Sequence, residues 1–215
     1  RCFHLKIDFL YETMHEKGKI KAMIKIKYCI WDVGNVIYDY SLEPLHRWMA
    51  ENTADKALFE ERKGRYSYND YMKGLVPYDA LCRDLCDFYA VSYQPEYSIA
   101  LNRAFHQGVG HFYPETRQMM TELDGQGIKN CVLSNALPIL KNTARVDDLI
   151  PQERQFTSYD LGLLKPDPAI YAAVRNQLGC AFEELIFVDD KPRNTKAAAE
   201  LGIRAVTFKP QTVQS

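Results

Sequence analysis

No apolar run in the chain approaches the ~20 residues that cross a bilayer, so no membrane partner is expected. Residues 1–22 are mixed and charged and lack the continuous apolar stretch of a secretory signal. They read as an extension ahead of a fold that starts near Met23. An excess of charge of one sign is missing too, since 27 basic residues stand against 28 acidic ones. Without a basic surplus there is no electrostatic footprint for a nucleic acid or an anionic membrane. Nor is there a Cys-x-x-Cys pair among the six cysteines, Cys2, Cys29, Cys82, Cys86, Cys131 and Cys180. Cys29 and Cys131 lie in apolar runs, where a thiol packs as a small hydrophobe. Cys82 and Cys86 would share a helix face, but zinc there needs two further ligands. Free thiols in a reducing, cytoplasmic compartment are expected.

What is present suits one buried α/β core with a modest second unit, given 215 residues of which 47% are hydrophobic. Ile24 to Trp31 begins with alternation and ends apolar, as a strand entering a covered parallel sheet does. It runs into Asp32-Val33-Gly34-Asn35, a turn signal. From Leu42 to Gly108 the texture changes: tyrosines and charges dominate, Leu81, Leu85 and Phe88 show helical spacing, and no buried strand stands out. This stretch reads as a helical insertion, residues 42–108, between two parts of a core, residues 23–41 and 109–215. Pro114 then opens a helix with Met119, Met120 and Leu123 on its apolar face, ended by Gly125 and Gly127. Ile128 to Leu133 is the next strand, and Phe156 marks a short one. Asp167 caps a helix starting at Pro168 and stopped by Gly179. Leu185 to Val188 is a third strong strand, followed by a helix through Ala197 to Leu201 and a last strand at Arg204 to Phe208. Strands alternating with helices predict a doubly wound parallel sheet, a Rossmann-like α/β fold, carrying an inserted small helical unit.

In such sheets ligands bind beyond the carboxyl ends of the strands. Three strands end in polar residues: Asp32, Ser134-Asn135 and Asp189-Asp190. All three groups are therefore expected in one crevice. Up to three carboxylates there repel one another unless a cation joins them or one stays protonated. A hard divalent ion with oxygen ligands, magnesium before calcium, meets that need. Lys165, in a Gly-containing loop ahead of a helix, adds a positive charge, and Ser134 adds a hydroxyl. A carboxylate nucleophile, a metal, an ammonium and a hydroxyl suit phosphoryl transfer, which asks a protein mainly to position and neutralise. Each residue alone reads as a turn or cap residue. Their joint occurrence at strand ends is what points to a site.

Their order carries a resemblance. Trp31-Asp32-Val33-Gly34-Asn35-Val36-Ile37, Val132-Leu133-Ser134-Asn135, Gly162-Leu163-Leu164-Lys165-Pro166-Asp167-Pro168-Ala169-Ile170-Tyr171 and Phe187-Val188-Asp189-Asp190-Lys191-Pro192-Arg193-Asn194 together resemble the four motifs of the haloacid dehalogenase superfamily. The resemblance spans about residues 24 to 208. The insertion resembles the family's helical cap, and Lys63-Gly64-Arg65-Tyr66-Ser67-Tyr68-Asn69-Asp70-Tyr71 resembles the cap of a subgroup with sugar-1-phosphate phosphatases and the amino-terminal phosphatase domain of soluble epoxide hydrolases.

This resemblance implies a magnesium-dependent phosphatase acting on a small phosphorylated substrate, such as a sugar phosphate. Asp32 would be the nucleophile and a Mg2+ ligand, and Gly34 would offer its main-chain carbonyl to the metal. Ser134 would bind the transferring phosphoryl group with Asn135 nearby, while Lys165 would hold nucleophile and phosphate together. Asp190 would be the principal carboxylate on Mg2+, with Asp189 and Asn194 supporting it.

One position departs from the pattern. Most phosphatases of this family carry a general-acid Asp two residues after the nucleophile, where this chain has Gly34. General acid catalysis is worth ~10²–10⁴-fold, so the glycine implies slower turnover or a substrate with a good leaving group. It also keeps open a non-catalytic reading, in which the fold binds a phosphorylated ligand. A metal-independent 2-haloacid dehalogenase would share the nucleophile and the lysine, but would have no use for Asp189-Asp190 beside a carboxylate substrate. A receiver domain is set aside because its acidic pair comes first in the chain. In the insertion, Arg62, Lys63, Arg65 and Tyr66 either reach over the crevice or form a solvated charged loop. His46 and Trp48 read as packing or hinge residues. His106 and His111 flank Gly108 and Gly110 in a return linker that is expected to act as a hinge.

Overall fold

The computed structural model describes residues 13–16, 19–23, 25–141 and 146–209. Cys2 and Ile24 lie outside them. In the amino-terminal segment β1 (Thr13–Glu16) and β2 (Lys19–Met23) pair antiparallel, so the stretch read as a plain extension contains a strand pair. β3 (Tyr28–Trp31) follows, shorter than the apolar run suggested. Lys27 nevertheless donates to Glu184 O and accepts from Lys129 N, both at 2.9 Å, so the ladder frays only at its entrance.

β4 (Tyr38–Tyr40) leads into five helices: α1 (Glu43–Asn52), α2 (Lys56–Arg62), α3 (Asn69–Met72), α4 (Tyr78–Phe88) and α5 (Tyr97–Gln107). The chain returns through β5 (Val109–Phe112), which pairs antiparallel with β4. These two short strands were not legible in the sequence. The remaining elements are α6 (Pro114–Gly125), β6 (Lys129–Ser134), β7 (Gln155–Thr157), α7 (Ser158–Leu161), α8 (Pro168–Leu178), β8 (Leu185–Asp189), α9 (Pro192–Glu200) and β9 (Arg204–Thr207). α9 starts at Pro192, earlier than its apolar residues indicate, because a proline needs no amide partner in a first helical turn.

Five of the strands form a parallel sheet in the order β7-β6-β3-β8-β9. All five residues of β8 are buried, as expected of a central strand covered on both faces. Side chains alternate across the sheet. Cys29, Trp31, Val132, Ile186 and Val188 join one apolar cluster with Met119, Met120 and Leu123 of α6. Ile30, Cys131, Leu133, Leu185 and Phe187 join the other, with Ile170, Tyr171 and Val174 of α8 and Ala198 of α9. Cys29 and Cys131 thus sit on opposite faces, both as buried free thiols. Trp31 is fully buried, and its indole N–H donates to Asn130 Oδ1 at 2.9 Å.

The five helices enclose a third cluster that includes Leu45, Met49, Phe59, Leu81, Leu85 and Phe105. Cys82 and Cys86 are buried within it as free thiols. Leu137 is the buried residue that joins this cluster from the loop after β6. No helix among the described residues is long and apolar enough to cross a membrane.

The two connections to the helical insertion cross at Ser41 and Gly108, where Ser41 N donates to Gly108 O at 2.9 Å. A Cβ on residue 108 would lie 2.1 Å from Ser41 O, a contact that backbone must yield to. Gly108→Ala is therefore expected to destabilise the fold by about 1–3 kcal/mol, the usual range for overpacking. Chemical denaturation checks this, and an unchanged midpoint would show that the crossing has slack.

Candidate active site

Register decides what meets at the top of the sheet. Trp31 lies opposite both Val132 and Val188, so Asp32, Leu133 and Asp189 stand at one level on three adjacent strands. Asp32 N donates to Val188 O at 2.8 Å and extends the ladder one residue past β3. Alternation then sorts the side chains. Asp32 continues the register of Ile30, and Asp189 that of Phe187, on the α8–α9 face; Ser134 shares the α6 face with Val132, and Asp190 stands one residue beyond the end of β8.

Lys165 reaches the first pair. It is 3% exposed, and its Nζ lies 2.9 Å from Asp32 Oδ1, 2.7 Å from Asp189 Oδ2 and 2.7 Å from Leu133 O. Its ammonium also sits 5.3 Å from the centre of the Phe187 ring. The loop carrying Lys165 is fastened by Asn135: Asn135 Nδ2 donates to Lys165 O, and Lys165 N donates to Asn135 Oδ1, both at 2.9 Å. Both groups of that side-chain amide are thereby engaged in bracing the lysine.

Asp189 is saturated with donors. Beyond Lys165 it accepts from Lys191 N at 2.9 Å and from Asn194 Nδ2, at 2.9 Å to Oδ1 and 3.0 Å to Oδ2. Asp190 differs, because its Oδ1 is buried with no protein donor. Such an orphan carboxylate oxygen costs several kcal/mol of lost hydration unless a cation or water meets it. Carboxylate oxygens of Asp32, Asp189 and Asp190 lie within 4.8 Å of one another. Oxygens sharing one octahedral Mg2+ stand about 3–4 Å apart, so the donor set and its spacing fit that ion.

The electrostatics follow from burial. Burial pushes the Asp32 carboxyl above the usual carboxylate range, opposed by the ammonium of Lys165 and reinforced by Asp189. Burial alone would lower Lys165, but Asp32 and Asp189 outweigh it and hold the group above the ordinary lysine value. The lysine is therefore a fixed cation.

A cavity of about 340 Å³ opens beside this cluster. Gly34, Ser134 and Asn135 line it, with Gln152, Gln155, Thr157, Tyr159 and Asp160, while Asp32, Lys165 and Asp190 are not among its lining residues. β4 contributes Tyr38, Asp39 and Tyr40, which sequence reasoning missed because three half-buried residues show no period to read. No lining residue comes from positions 41–108. The positions read either as reaching over the crevice or as a solvated loop serve contacts within the insertion or face solvent. Arg62 donates to Phe88 O at 2.8 Å, Lys63 pairs with Glu43 at 3.4 Å, and Tyr66 packs edge-on against Tyr68 and Phe88. Arg65 is exposed. His46 is buried in the helical cluster's surroundings and Trp48 stacks edge-on with Tyr97, so both are packing residues. His106 Nδ1 is 2.8 Å from Asn102 O within α5, and His111 is exposed beside Tyr113.

A family model of haloacid dehalogenase-like hydrolases matches residues 26–202. The chain belongs to that family. Among curated proteins, this hydrolase is similar to a phosphoserine phosphatase of Thermus thermophilus, with 29% identity over 117 residues that cover 52% of this chain and 47% of the relative. The chain spans less than half the length of the curated relatives it matches first. Among solved structures, the hydrolase resembles a haloacid dehalogenase family enzyme of Bacteroides thetaiotaomicron in complex with magnesium and inorganic phosphate. That likeness has a TM-score of 0.69 at 22% identity and covers 88% of this chain and 98% of that one. An L-2-haloacid dehalogenase of Xanthobacter autotrophicus with covalently bound chloropropionic acid matches less well, with a TM-score of 0.58 at 18% identity, covering 84% and 76%. At these identities the two structures speak for the fold.

Removing one member of a buried ion pair leaves its partners uncompensated, at a cost of about 3–5 kcal/mol. Lys165→Met is thus expected to destabilise this hydrolase by that order in metal-free buffer. Urea denaturation at neutral pH tests it, and a loss under 1 kcal/mol would mean that the carboxylates find other donors.

Proposed function

We propose that the protein is a magnesium-dependent phosphatase of small phosphate monoesters, passing the phosphoryl group through the carboxylate of Asp32. Charge at the sheet's upper edge carries the reading: three carboxylates cluster around the buried ammonium of Lys165, with Lys191 acting on Asp32 as a weaker second cation, and Asp190 Oδ1 is buried without a protein partner. A site with surplus negative charge calls for a cation before any anionic substrate can enter. Asp32, the main-chain carbonyl of Gly34 and Asp190 would hold Mg2+, with Asp189 and Asn194 orienting the set from behind. Bound there, the ion supplies charge neutralisation for the phosphoryl oxygens.

The chain's own groups do the rest. Lys165 fixes the rotamer of Asp32 through Oδ1 and keeps a positive charge beside the incoming phosphate. Ser134 offers its hydroxyl to an equatorial oxygen, and the main-chain N–H of Asn135 remains available where its side chain is not. Asp32 attacks phosphorus, the bond to the leaving oxygen breaks, and water later cleaves the aspartyl phosphate to inorganic phosphate and free Asp32. The cavity sets hydroxyl, amide and carboxylate groups within a larger apolar lining that includes Val33, Val109, Leu137, Leu140 and Val146, which suits a leaving group with both polar and apolar parts, and a sugar is one candidate class. We further propose residues 42–108 as the cap and residues 23–41 with 109–215 as the core.

Phosphate release from p-nitrophenyl phosphate and a panel of sugar phosphates tests the reading. Turnover is expected only with Mg2+, and Asp32→Asn should fall to the uncatalysed rate. Chloride release from 2-chloropropionate without metal would replace this reading with a dehalogenase, and silence on every ester would leave a binding protein. A separate expectation concerns Asn194, whose amide holds both oxygens of Asp189. Asn194→Ala should raise the Mg2+ concentration for half-maximal rate about 10–100-fold, the usual effect of losing a group behind the ligands, and an unaltered Mg2+ titration would detach Asp189 from the metal.

A further inference from the structure

The phosphatase reading leaves one proton without a source. The position that usually carries the leaving-group acid is Gly34, and the fold does not force a glycine there. A Cβ on residue 34 would meet only Tyr40 Cβ, at an ordinary 3.7 Å. The acid's absence is therefore not a packing requirement, which turns attention to other proton carriers around the same space.

Most groups lining the cavity are otherwise engaged. Asp147 Oδ1 accepts from Gln155 Nε2 at 2.8 Å, and Asp160 Oδ2 accepts from Thr157 Oγ1 at 2.7 Å. Tyr40 is a phenol whose burial pushes it far above the range in which it would release a proton readily. Asp39 is different. It lines the cavity together with Gly34 and Ser134, and it lies where the β4–β5 ladder is irregular. Tyr38 pairs with Phe112 and Tyr40 with Val109, so Asp39 alone faces the two residues Gly110 and His111. An irregularity of this kind re-aims a side chain and is common beside active sites.

The hairpin also makes room for the carboxylate. A Cβ on residue 110 would lie 2.9 Å from Asp39 Oδ2 and 3.0 Å from Asp39 Cβ, so the Asp39 side chain packs against residue 110 and would have to move aside for any larger residue there. The Tyr113 hydroxyl is hydrogen-bonded to Asp39, and burial first, then the carboxylates of Asp39, Glu115 and Asp190, raise that phenol.

We propose that Asp39, presented by the hairpin at the neck of the insertion, is the acid and base that Gly34 lacks. The proposal rests on the phosphatase reading. As Asp32 Oδ forms its bond to phosphorus, the bond from phosphorus to the leaving oxygen breaks, and that oxygen takes the proton of the Asp39 carboxylic acid. In the second half, the Asp39 carboxylate removes a proton from water as its oxygen bonds to phosphorus and the bond to Asp32 breaks. Asp39 ends protonated, and inorganic phosphate and free Asp32 are released.

The test compares two aryl esters of similar shape, p-nitrophenyl phosphate, whose phenolate leaves unaided, and phenyl phosphate, whose leaving oxygen needs a proton. With Mg2+ present, Asp39→Asn is expected to lose about 10²–10⁴-fold in kcat on phenyl phosphate and far less on p-nitrophenyl phosphate. Adding Gly34→Asp to that variant should recover most of the loss. Gly110→Ala, which displaces the carboxylate without removing it, should show the same selective loss and serves if Asp39→Asn does not fold. Equal losses on both esters, or none, overturn the assignment of Asp39 while leaving the phosphatase intact. A wild-type protein inert on both esters overturns the phosphatase reading, and the role of Asp39 with it.

Discussion

Lys165 is the one cation wedged between Asp32 and Asp189, and much of the molecule serves to keep it there. An ammonium this deeply buried is costly to desolvate and remains charged because two carboxylates and a carbonyl meet it at 2.7–2.9 Å. The three strands that supply these oxygens, β3, β6 and β8, are the middle strands of the sheet. Their register is fixed by apolar packing on both faces, and a slip of one residue would turn every acid to the wrong side. The lysine's own loop lies outside the strands and is packed against the core only through Leu161 and Leu163. Asn135 reinforces it by exchanging two hydrogen bonds with the lysine's main chain, so the second and third motifs are fastened by one amide.

The end of β8 also separates the work of the two adjacent acids. Asp189 points to the face where Lys165 and Asn194 wait, and its lone pairs are consumed there. Asp190, one residue beyond the end of β8, keeps an oxygen unpaired. Two identical side chains thus receive different environments, one inside the strand and one just past it. Under the proposed function the metal falls to the second acid of the pair.

The legible part of the sequence was the part under the strongest packing constraint. Leu185 to Val188 and Ile128 to Leu133 read as strands because both faces are covered, and Asp32, Ser134 and Asp189-Asp190 stood out as the polar residues at which such runs stop. Helix ends were equally plain where capping chemistry sets them, as at Asp167, whose side chain accepts from Ala169 N. The β4–β5 hairpin had no comparable signature. Tyr38-Asp39-Tyr40 and Val109–Phe112 are short and half exposed, and what pins them is Gly110 under Asp39 and Gly108 against Ser41, close approaches that no periodicity announces. Arg62 and Lys63 left two readings open in the sequence, and their contacts with Phe88 O and Glu43 lie within the insertion.

The insertion is tied to the site by few contacts, and each falls beside a motif. Leu137, three residues beyond Ser134, is buried in the helical cluster. Ser158 Oγ donates to Met72 O at 2.6 Å and accepts from Ala136 N at 3.1 Å, so one hydroxyl joins the end of α3 to the loop that follows Asn135. The connections at Ser41 and Gly108 complete the attachment. The insertion's apolar cluster is shared with the core through Leu137, with Ile139 and Leu140 also packed against that cluster, so a shift of the insertion pulls on that loop as well as on β4 and on Ser158. Those three segments lie next to Ser134, Gly34 and the cavity-lining Tyr159. The helices of the insertion line none of the cavity, so their influence on a bound substrate passes through those segments.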